Sequence, residues 1–179
     1  MELSTAVKGR EREIIDLFSA TFTASEGPAE GALIGDLVRN LLGGTAAADL
    51  FVVTADEAGA IVGAAVFSRL TYDHDERTVF ILAPAAVATD RQGEGIGQRL
   101  IAHGLTVLRG AGVDIALTYG DPNYYAKVGF APITEAFAPA PFQLNRPEGW
   151  LGQSLTERPM TPLKGPSRCV EALNDPALW

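Results

Sequence analysis

The segment that decides the fold is residues 87–100, VATDRQGEGIGQRL, where a predicted strand runs through three alternate glycines into a predicted helix. Glycine suits positions where the backbone takes unusual dihedral angles or where a ligand must approach the main chain closely. The first turn of a helix has unpaired N–H groups and a partial positive charge. A strand–glycine–helix junction therefore predicts an anion site, with a diphosphate as its natural ligand.

Two known phosphate-binding patterns fit this segment poorly. A Walker-type loop needs Gly-Lys followed by Ser or Thr, whereas Gly97 is followed by Gln98 and Arg99. A dinucleotide fingerprint, G-x-G-x-x-G, would put its last glycine at Gln98 or Leu100. Asp114 is suitably spaced for a ribose contact, but it opens the next predicted strand instead of ending it. The Walker interpretation fails, and the dinucleotide interpretation is weak.

Hydrophobic periodicity predicts two helices, a run of strands, and then alternating helix and strand. Helices are predicted over residues 11–22, 32–42, 95–109 and 124–128, and strands over 50–54, 60–70, 78–89 and 113–119. The first two strands are predicted to form an antiparallel hairpin, and the intervening helix places the last two parallel to each other. This order indicates an α+β or mixed α/β fold in one domain.

Composition excludes several classes of protein. Among the 179 residues, 14 basic and 22 acidic side chains give a net charge of −8, and 47% of the residues are hydrophobic. Such a chain can build a core, and without clustered Lys or Arg it does not predict nucleic-acid binding. The single cysteine excludes an internal disulfide, and no apolar run approaches the ~18 residues of a membrane span. Without a signal-peptide pattern at the N-terminus, we expect a cytoplasmic protein.

A third pattern, Q/R-x-x-G-x-G/A, is met by Gln92, Gly95 and Gly97, and here the sequence resembles the GNAT N-acetyltransferase superfamily. Residues 82–87, LAPAAV, are similar to the strand before that family's pyrophosphate loop. Residues 120–130, GDPNYYAKVGF, are similar to its downstream tyrosine and Gly-Phe element. The Gly-Asp-Pro and double tyrosine, with Leu-Val-Arg at 37–39, resemble the YhbS-type branch. The similarity covers roughly residues 14–132, with a looser match at the C-terminal end.

The resemblance implies a central mixed, mostly antiparallel sheet flanked by helices. It implies a single GNAT domain over residues 1–179, with its core at about 11–132. Residues 133–179 are then an irregular C-terminal extension, in which strand-like pieces are predicted near 142–144 and 170–173. Prolines make this part irregular.

The implied activity is transfer of an acetyl group from acetyl-CoA, as cosubstrate, to a primary amine by direct attack on the thioester. The acceptor is a small molecule or a protein, and the oligomeric state stays open, a homodimer included. Main-chain groups of Ala85 and Val87 are expected to pair with the pantetheine arm, and a strand N–H to polarise the carbonyl. The pyrophosphate is expected on the backbone N–H groups of Gln92, Gly93, Glu94, Gly95, Ile96, Gly97 and Gln98.

Tyr125 matches the tyrosine that protonates the departing thiolate in this family, and a phenol of pKa ~10 suits that task. Many relatives place an asparagine about seven residues earlier, where this chain has Thr118. The pattern identifies no general base. These two departures motivate an alternative function, a catalytically silent acyl-CoA-binding or regulatory domain.

Other chemically active side chains are assigned structural roles. His103 lies on the apolar face of its predicted helix and is expected to pack there. His74 lies in a polar turn, where a solvated hairpin is favoured over a base at the substrate mouth. The acidic residues around His74 lack metal-ligand spacing, so no metal is expected. Cys169 has no histidine near it in sequence, and direct transfer needs no acyl-cysteine.

Overall fold

The computed structural model describes all residues, 1–179. Its helices are α1 (Glu11–Glu26), α2 (Pro28–Gly44), α3 (Ile96–Gly110) and α4 (Pro122–Ala126). Its strands are β1 (Glu2–Ser4), β2 (Leu50–Glu57), β3 (Ala60–Tyr72), β4 (Val79–Val87), β5 (Ile115–Tyr119), β6 (Ala131–Pro132), β7 (Trp150–Ser154) and β8 (Ser167–Arg168). The strands pair in the order β1-β2-β3-β4-β5-β7-β6, and β8 pairs with β3. No helix is both long enough and apolar enough to cross a membrane.

The predicted fold class is confirmed. Strands β4 and β5 are parallel, as the helix between them requires, whereas β1–β2, β5–β7, β6–β7 and β3–β8 are antiparallel. Every helix predicted from periodicity is present. Helix α1 runs past its predicted end at residue 22 because its last residues tolerate helical geometry, and it ends only before Gly27 at φ +98°.

The strands expected in the C-terminal extension were wrongly placed. Residues 142–144 form no strand, and residues 171–173 form a 3₁₀ turn. The extension instead supplies β7 and β8. Strand β7 lies between β5 and β6, and its first residue, Trp150, is fully buried. A short strand containing Gly152 and polar residues has no clear period-2 pattern, so partner strands decide its position where local propensity does not.

The chain divides into two compact units. The first unit comprises Met1–Phe67 and Pro84–Gly104, and the second comprises Ser68–Ala83 and Leu105–Trp179. In the first unit, α3 lies very close to β3. A Cβ on Gly104 would lie 2.5 Å from Cε2 of the fully buried Phe67 ring. The absent side chain lets the helix that follows the glycine segment sit directly on the strand.

In the second unit, a parallel ladder joins β4 to β5 from Val79↔Ile115 to Leu82↔Thr118. The ladder ends there for a chemical reason. Pro84 has no N–H to donate, and the N–H of Gly120 donates to the carbonyl of Gly149 at 2.9 Å. Strand β4 nevertheless continues to Val87, and Tyr119 of β5 pairs with Trp150 of β7.

The close contact at Gly104 predicts unequal effects of one substitution at two positions of the same helix. Gly104→Ala gains helix propensity but forces a methyl group against Phe67, whereas Gly110→Ala adds a methyl group in open space. We expect Gly104→Ala to unfold with a free energy about 1–3 kcal/mol below that of Gly110→Ala, because overpacking costs that much. Urea denaturation measures both variants. Equal stabilities would show that Phe67 does not set the position of α3.

Candidate active site

The glycine segment in the first unit leaves its backbone open to a ligand. A 3₁₀ turn, Thr89–Arg91, follows β4, and residues 92–95 then lead into α3. Gly93 and Gly95 have φ values of +80° and +77°, which only glycine adopts without strain. A Cβ at either position would meet no atom within 4 Å. These two glycines are therefore required by backbone conformation, and the space beside them is free for a ligand.

Helix α3 is fixed by apolar side chains while its N-terminus stays polar. Ile96 and Leu100, one turn apart, are buried. The first hydrogen bond of the helix runs from the N–H of Arg99 to the carbonyl of Gly95 at 3.2 Å. The earlier N–H groups have no partner within the helix and lie at its positive end. The helix thus offers a group of backbone donors for an anion.

Side chains around the segment hold its shape. Nε2 of Gln92 donates to the carbonyl of Val87 at 3.0 Å, which closes the loop from the end of β4. Arg91 forms ion pairs with Glu94, at 2.9 Å, and with Glu57 of β2. Hydrogen bonds that Arg91 donates to Glu94, and next to Glu57, raise the pKa of Arg91, and the same guanidinium lowers the pKa of Glu57. The Arg91 guanidinium is therefore engaged by carboxylates that hold the loop.

The end of β4 carries two of the residues predicted to contact the cosubstrate. Ala85 and Val87 lie beyond the part of β4 that pairs with β5, and both are half-buried. The N–H of Ala88 donates to the carbonyl of Val62 in β3 at 2.9 Å, and the carbonyl of Val87 accepts from Nε2 of Gln92 at 3.0 Å. The end of β4 is therefore tied both to β3 and to the glycine segment.

Tyr125, the predicted proton donor, lies in α4 of the second unit. The helix is short and begins at Asp121, whose side chain accepts the N–H of Asn123 at 2.9 Å. The Tyr125 ring makes edge-to-face contacts with Phe130, at 5.8 Å between centroids, and with Tyr124, at 5.1 Å. Burial raises the pKa of Tyr125, and a hydrogen bond with Thr118 partly opposes that rise. The phenol is therefore held in its protonated form.

Thr118 is the residue whose role the sequence did not reveal. It is fully buried, and its hydroxyl donates to the carbonyl of Leu82 at 3.0 Å. Its hydrogen bond with the Tyr125 phenol is the one that partly opposes the rise in the pKa of that phenol. The available signal was a lone threonine behind three apolar residues in the strand IALTY.

The structure separates the predicted site residues into two groups. The residues predicted to bind the cosubstrate belong to one unit, since residues 85–98 form a continuous part of it. Tyr125 belongs to the other unit, with Thr118 and Asp121. Each group is locally ordered by its own hydrogen bonds and packing.

The remaining reactive side chains have structural surroundings. His103 is half-buried in α3, and His74 is exposed in the turn after β3. In that turn, hydrogen bonds from Arg77 lower the pKa of Asp75 to about 2, which marks it as a structural ion-pair partner. Burial raises the pKa of the Cys169 thiol, which disfavours the nucleophilic thiolate. No group of three or more His, Cys, Asp and Glu side chains is placed to hold a metal ion.

Comparison with known proteins shows which family this chain is similar to. Residues 47–132 match the profile described as an acetyltransferase (GNAT) domain. The chain is 37% identical over 141 residues to YjhQ of Escherichia coli K12, an uncharacterised N-acetyltransferase, covering 76% of this chain and 77% of that protein. It is 30% identical over 105 residues to YhbS of the same strain, another uncharacterised N-acetyltransferase, covering 59% and 60%.

Solved structures agree in fold. A GNAT family acetyltransferase from Brucella melitensis, in complex with acetyl-CoA, superposes with a TM-score of 0.74 at 26% identity, covering 97% of each chain. The CoA complex of Escherichia coli YhbS gives a TM-score of 0.78 at 21% identity, covering 97% of this chain and 92% of that one. Sequence and fold together show that this chain belongs to the GNAT family of acyl-CoA-dependent N-acetyltransferases.

Proposed function

We propose that this GNAT enzyme transfers the acetyl group of acetyl-CoA to a primary amine by direct attack of the amine nitrogen on the thioester. Acetyl-CoA supplies an activated acyl group, and the attack forms an amide bond as the carbon–sulfur bond breaks. The observation that carries the proposal is the glycine segment. Gly93 and Gly95 hold positive φ beside open space, directly before the N-terminus of α3.

The segment suits a diphosphate because its donors are fixed before a ligand arrives. Backbone N–H groups over residues 92–98 are the proposed ligands, and the N-terminal end of α3 adds a favourable dipole. Buried Ile96 and Leu100 hold the helix, while Gln92 ties the loop to Val87. Binding therefore requires little ordering of the chain, which limits its entropic cost.

The free edge of β4 suits an extended amide chain. The pantetheine arm carries amide groups, and a strand edge pairs with such groups as it does with another strand. Ala85 and Val87 lie beyond Leu82↔Thr118, the last pair of the β4–β5 ladder. We assign their main-chain groups to the arm and a strand N–H to the thioester carbonyl, where it stabilises the charge that develops on oxygen.

Tyr125 is the proposed acid that returns a proton to the CoA thiolate. Because its pKa is raised, the phenol keeps its proton throughout the neutral range and loses it only as the pH rises through that raised value. Thr118 is the proposed positioning residue, since its side chain is fully buried, is fixed by its bond to the Leu82 carbonyl, and forms the hydrogen bond that partly opposes the rise in the pKa of Tyr125. The amine nitrogen must lose a proton as the amide forms, and a solvent molecule or a nearby carboxylate can accept it.

The assignment of the pyrophosphate to the glycine segment predicts different effects of the same strain at two glycines. Gly95→Ala and Gly112→Ala each place a side chain at positive φ, +77° and +83°, with no atom within 4 Å of the new Cβ. Both variants should lose similar stability, about 1–2 kcal/mol. Calorimetric titration with acetyl-CoA should give a Kd raised about tenfold or more for Gly95→Ala alone, because it disturbs the donors that hold the phosphates. An unchanged Kd for Gly95→Ala would remove the loop from the site.

The role of Tyr125 predicts a difference between two adjacent tyrosines. Tyr125→Phe removes the phenol but keeps the contacts with Phe130, and Tyr124→Phe makes the same change one residue away. With an accepted amine, CoA thiol release should show kcat lowered by about 10²–10⁴ in Tyr125→Phe, the usual contribution of a general acid. The KM for acetyl-CoA should stay unchanged, and Tyr124→Phe should retain turnover close to that of the wild type.

Two outcomes of this assay would contradict the proposal. Full turnover in Tyr125→Phe would exclude the phenol as the acid. A wild-type protein that binds acetyl-CoA but releases no thiol with any of a broad panel of primary amines would be a binding or regulatory domain. In that second case acetyl-CoA would still raise Tm, because a ligand that binds the native state stabilises it. A raised Tm without thiol release therefore identifies a binding domain.

A further inference from the structure

The second unit contains a cavity with no assigned role. It has a volume of about 570 Å³ and lies at the end of β5, beside the start of α4. Two aromatic side chains, Tyr119 and Trp179, contribute to its lining. The size lies within the range of about 300–1,000 Å³ typical of small-molecule sites, so the cavity can hold a compact organic ligand.

The aromatic part of the lining is rigid. Tyr119 and Trp179 are stacked, with ring centroids 6.5 Å apart, and buried Trp150 packs edge-on against both. The polar atoms of these rings are already engaged. The Tyr119 hydroxyl accepts the N–H of Arg146 at 2.6 Å, and Nε1 of Trp179 donates to the carbonyl of Leu173 at 2.9 Å. The rings therefore present a fixed aromatic surface to a ligand.

The backbone of the cavity is also held closely together. The N–H of Gly120 donates to the carbonyl of Gly149, and a Cβ on Gly149 would lie only 2.8 Å from the Gly120 carbonyl oxygen. The N–H of Asn145 donates to the carbonyl of Trp179 at 3.1 Å. Three separate parts of the unit are thus joined around the cavity, which is formed before a ligand binds.

The charged side chains of the lining favour a cation. Asp121 and Glu148 contribute two carboxylates, against one guanidinium from Arg146. An ammonium group gains from carboxylates and from the faces of aromatic rings. Aromatic surface together with surplus negative charge favours an amine that carries an aromatic or other apolar group.

The cavity adjoins the proposed acid. Gly120 contributes to the lining, and a Cβ on this residue would lie 2.6 Å from Cε2 of Tyr125. Asp121, which contributes one of the carboxylates, also caps the helix that carries Tyr125. A ligand in the cavity is therefore separated from the Tyr125 ring by a single glycine.

We propose that this cavity is the acceptor site, and that it takes a small primary amine attached to an aromatic or apolar group. This inference rests on the proposed function, because it places the nucleophile of that reaction. The Asp121 and Glu148 carboxylates bind the ammonium form, and the Tyr119 and Trp179 rings pack against the apolar part. The bound ammonium passes one proton to solvent to become the neutral amine, whose nitrogen lone pair then attacks the thioester.

Tryptophan fluorescence tests the cavity without depending on turnover. The chain has two tryptophans; one, Trp179, lines the cavity, and the other, Trp150, packs against it. Titration with 2-phenylethylamine should give a saturable change in emission. The uncharged analogue 2-phenylethanol should have a Kd at least about tenfold higher, because it lacks the charge that the carboxylates recognise. Equal affinity for the two compounds, or no saturable change with the amine, would overturn the proposal.

Matched variants test separately whether amine binding needs the negative charges of the cavity and whether it needs the free volume of the cavity. The double variant Asp121→Asn/Glu148→Gln removes both charges while Asn still caps α4, and Ala177→Phe fills the cavity from an exposed position. Each should raise the Kd for 2-phenylethylamine about tenfold or more and the KM for an accepted amine in parallel. The control Glu171→Gln, which removes an exposed carboxylate elsewhere in the unit, should change neither constant.

Acetyl-CoA titration of the same proteins keeps the two proposals distinguishable. All the variants should bind acetyl-CoA as the wild type does. Unchanged amine constants in the charge and volume variants, with acetyl-CoA binding intact, would overturn the acceptor cavity and leave the proposed function standing. Failure of the wild type to bind acetyl-CoA would overturn the proposed function, while the amine titration would still decide whether the cavity binds amines.

Discussion

The hydroxyl of Thr118 donates to the carbonyl of Leu82 at the last pair of the β4–β5 ladder, in the fully buried part of the second unit. A buried hydroxyl without a partner would cost several kcal/mol in an apolar medium, so this bond is required where the ladder stops. The same hydroxyl forms the hydrogen bond that partly opposes the rise in the pKa of Tyr125. One buried side chain therefore links the end of the β4–β5 ladder to the proposed acid.

The net charge of −8 fits an anionic cosubstrate because the proposed donors belong to the backbone. Arg91, directly before the glycine segment, is paired with Glu57 and Glu94 and serves to hold the loop. Fixed N–H groups at a helix N-terminus bind phosphate without a basic surface. The excess of acidic over basic side chains therefore does not oppose cosubstrate binding at this backbone site. Two of the carboxylates, Asp121 and Glu148, line the cavity that we assign to a cationic amine.

Local patterns predicted the fold wherever periodicity was strong. The helices, the parallel β4–β5 pair and the glycine segment follow from residue spacing and from the conformational needs of glycine. Strand β7 did not, because Trp150–Ser154 is selected by its partners β5 and β6 and not by its own propensity. The cavity that we propose as the acceptor site could not be predicted from the sequence either, since Tyr119, Glu148 and Trp179 are brought together only by tertiary contacts. Sequence therefore indicates the cosubstrate far better than the acceptor.

The central claim is that backbone amides of residues 92–98 hold the pyrophosphate of the cosubstrate. Amide ¹H–¹⁵N spectra of this 18.9 kDa chain, recorded during titration with CoA, observe those groups directly. The account predicts that the largest chemical-shift changes fall on residues 92–98, with amide protons moving downfield as they bond to phosphate oxygen. Unchanged resonances over residues 92–98 at saturating CoA, with the largest changes elsewhere in the chain, would contradict it.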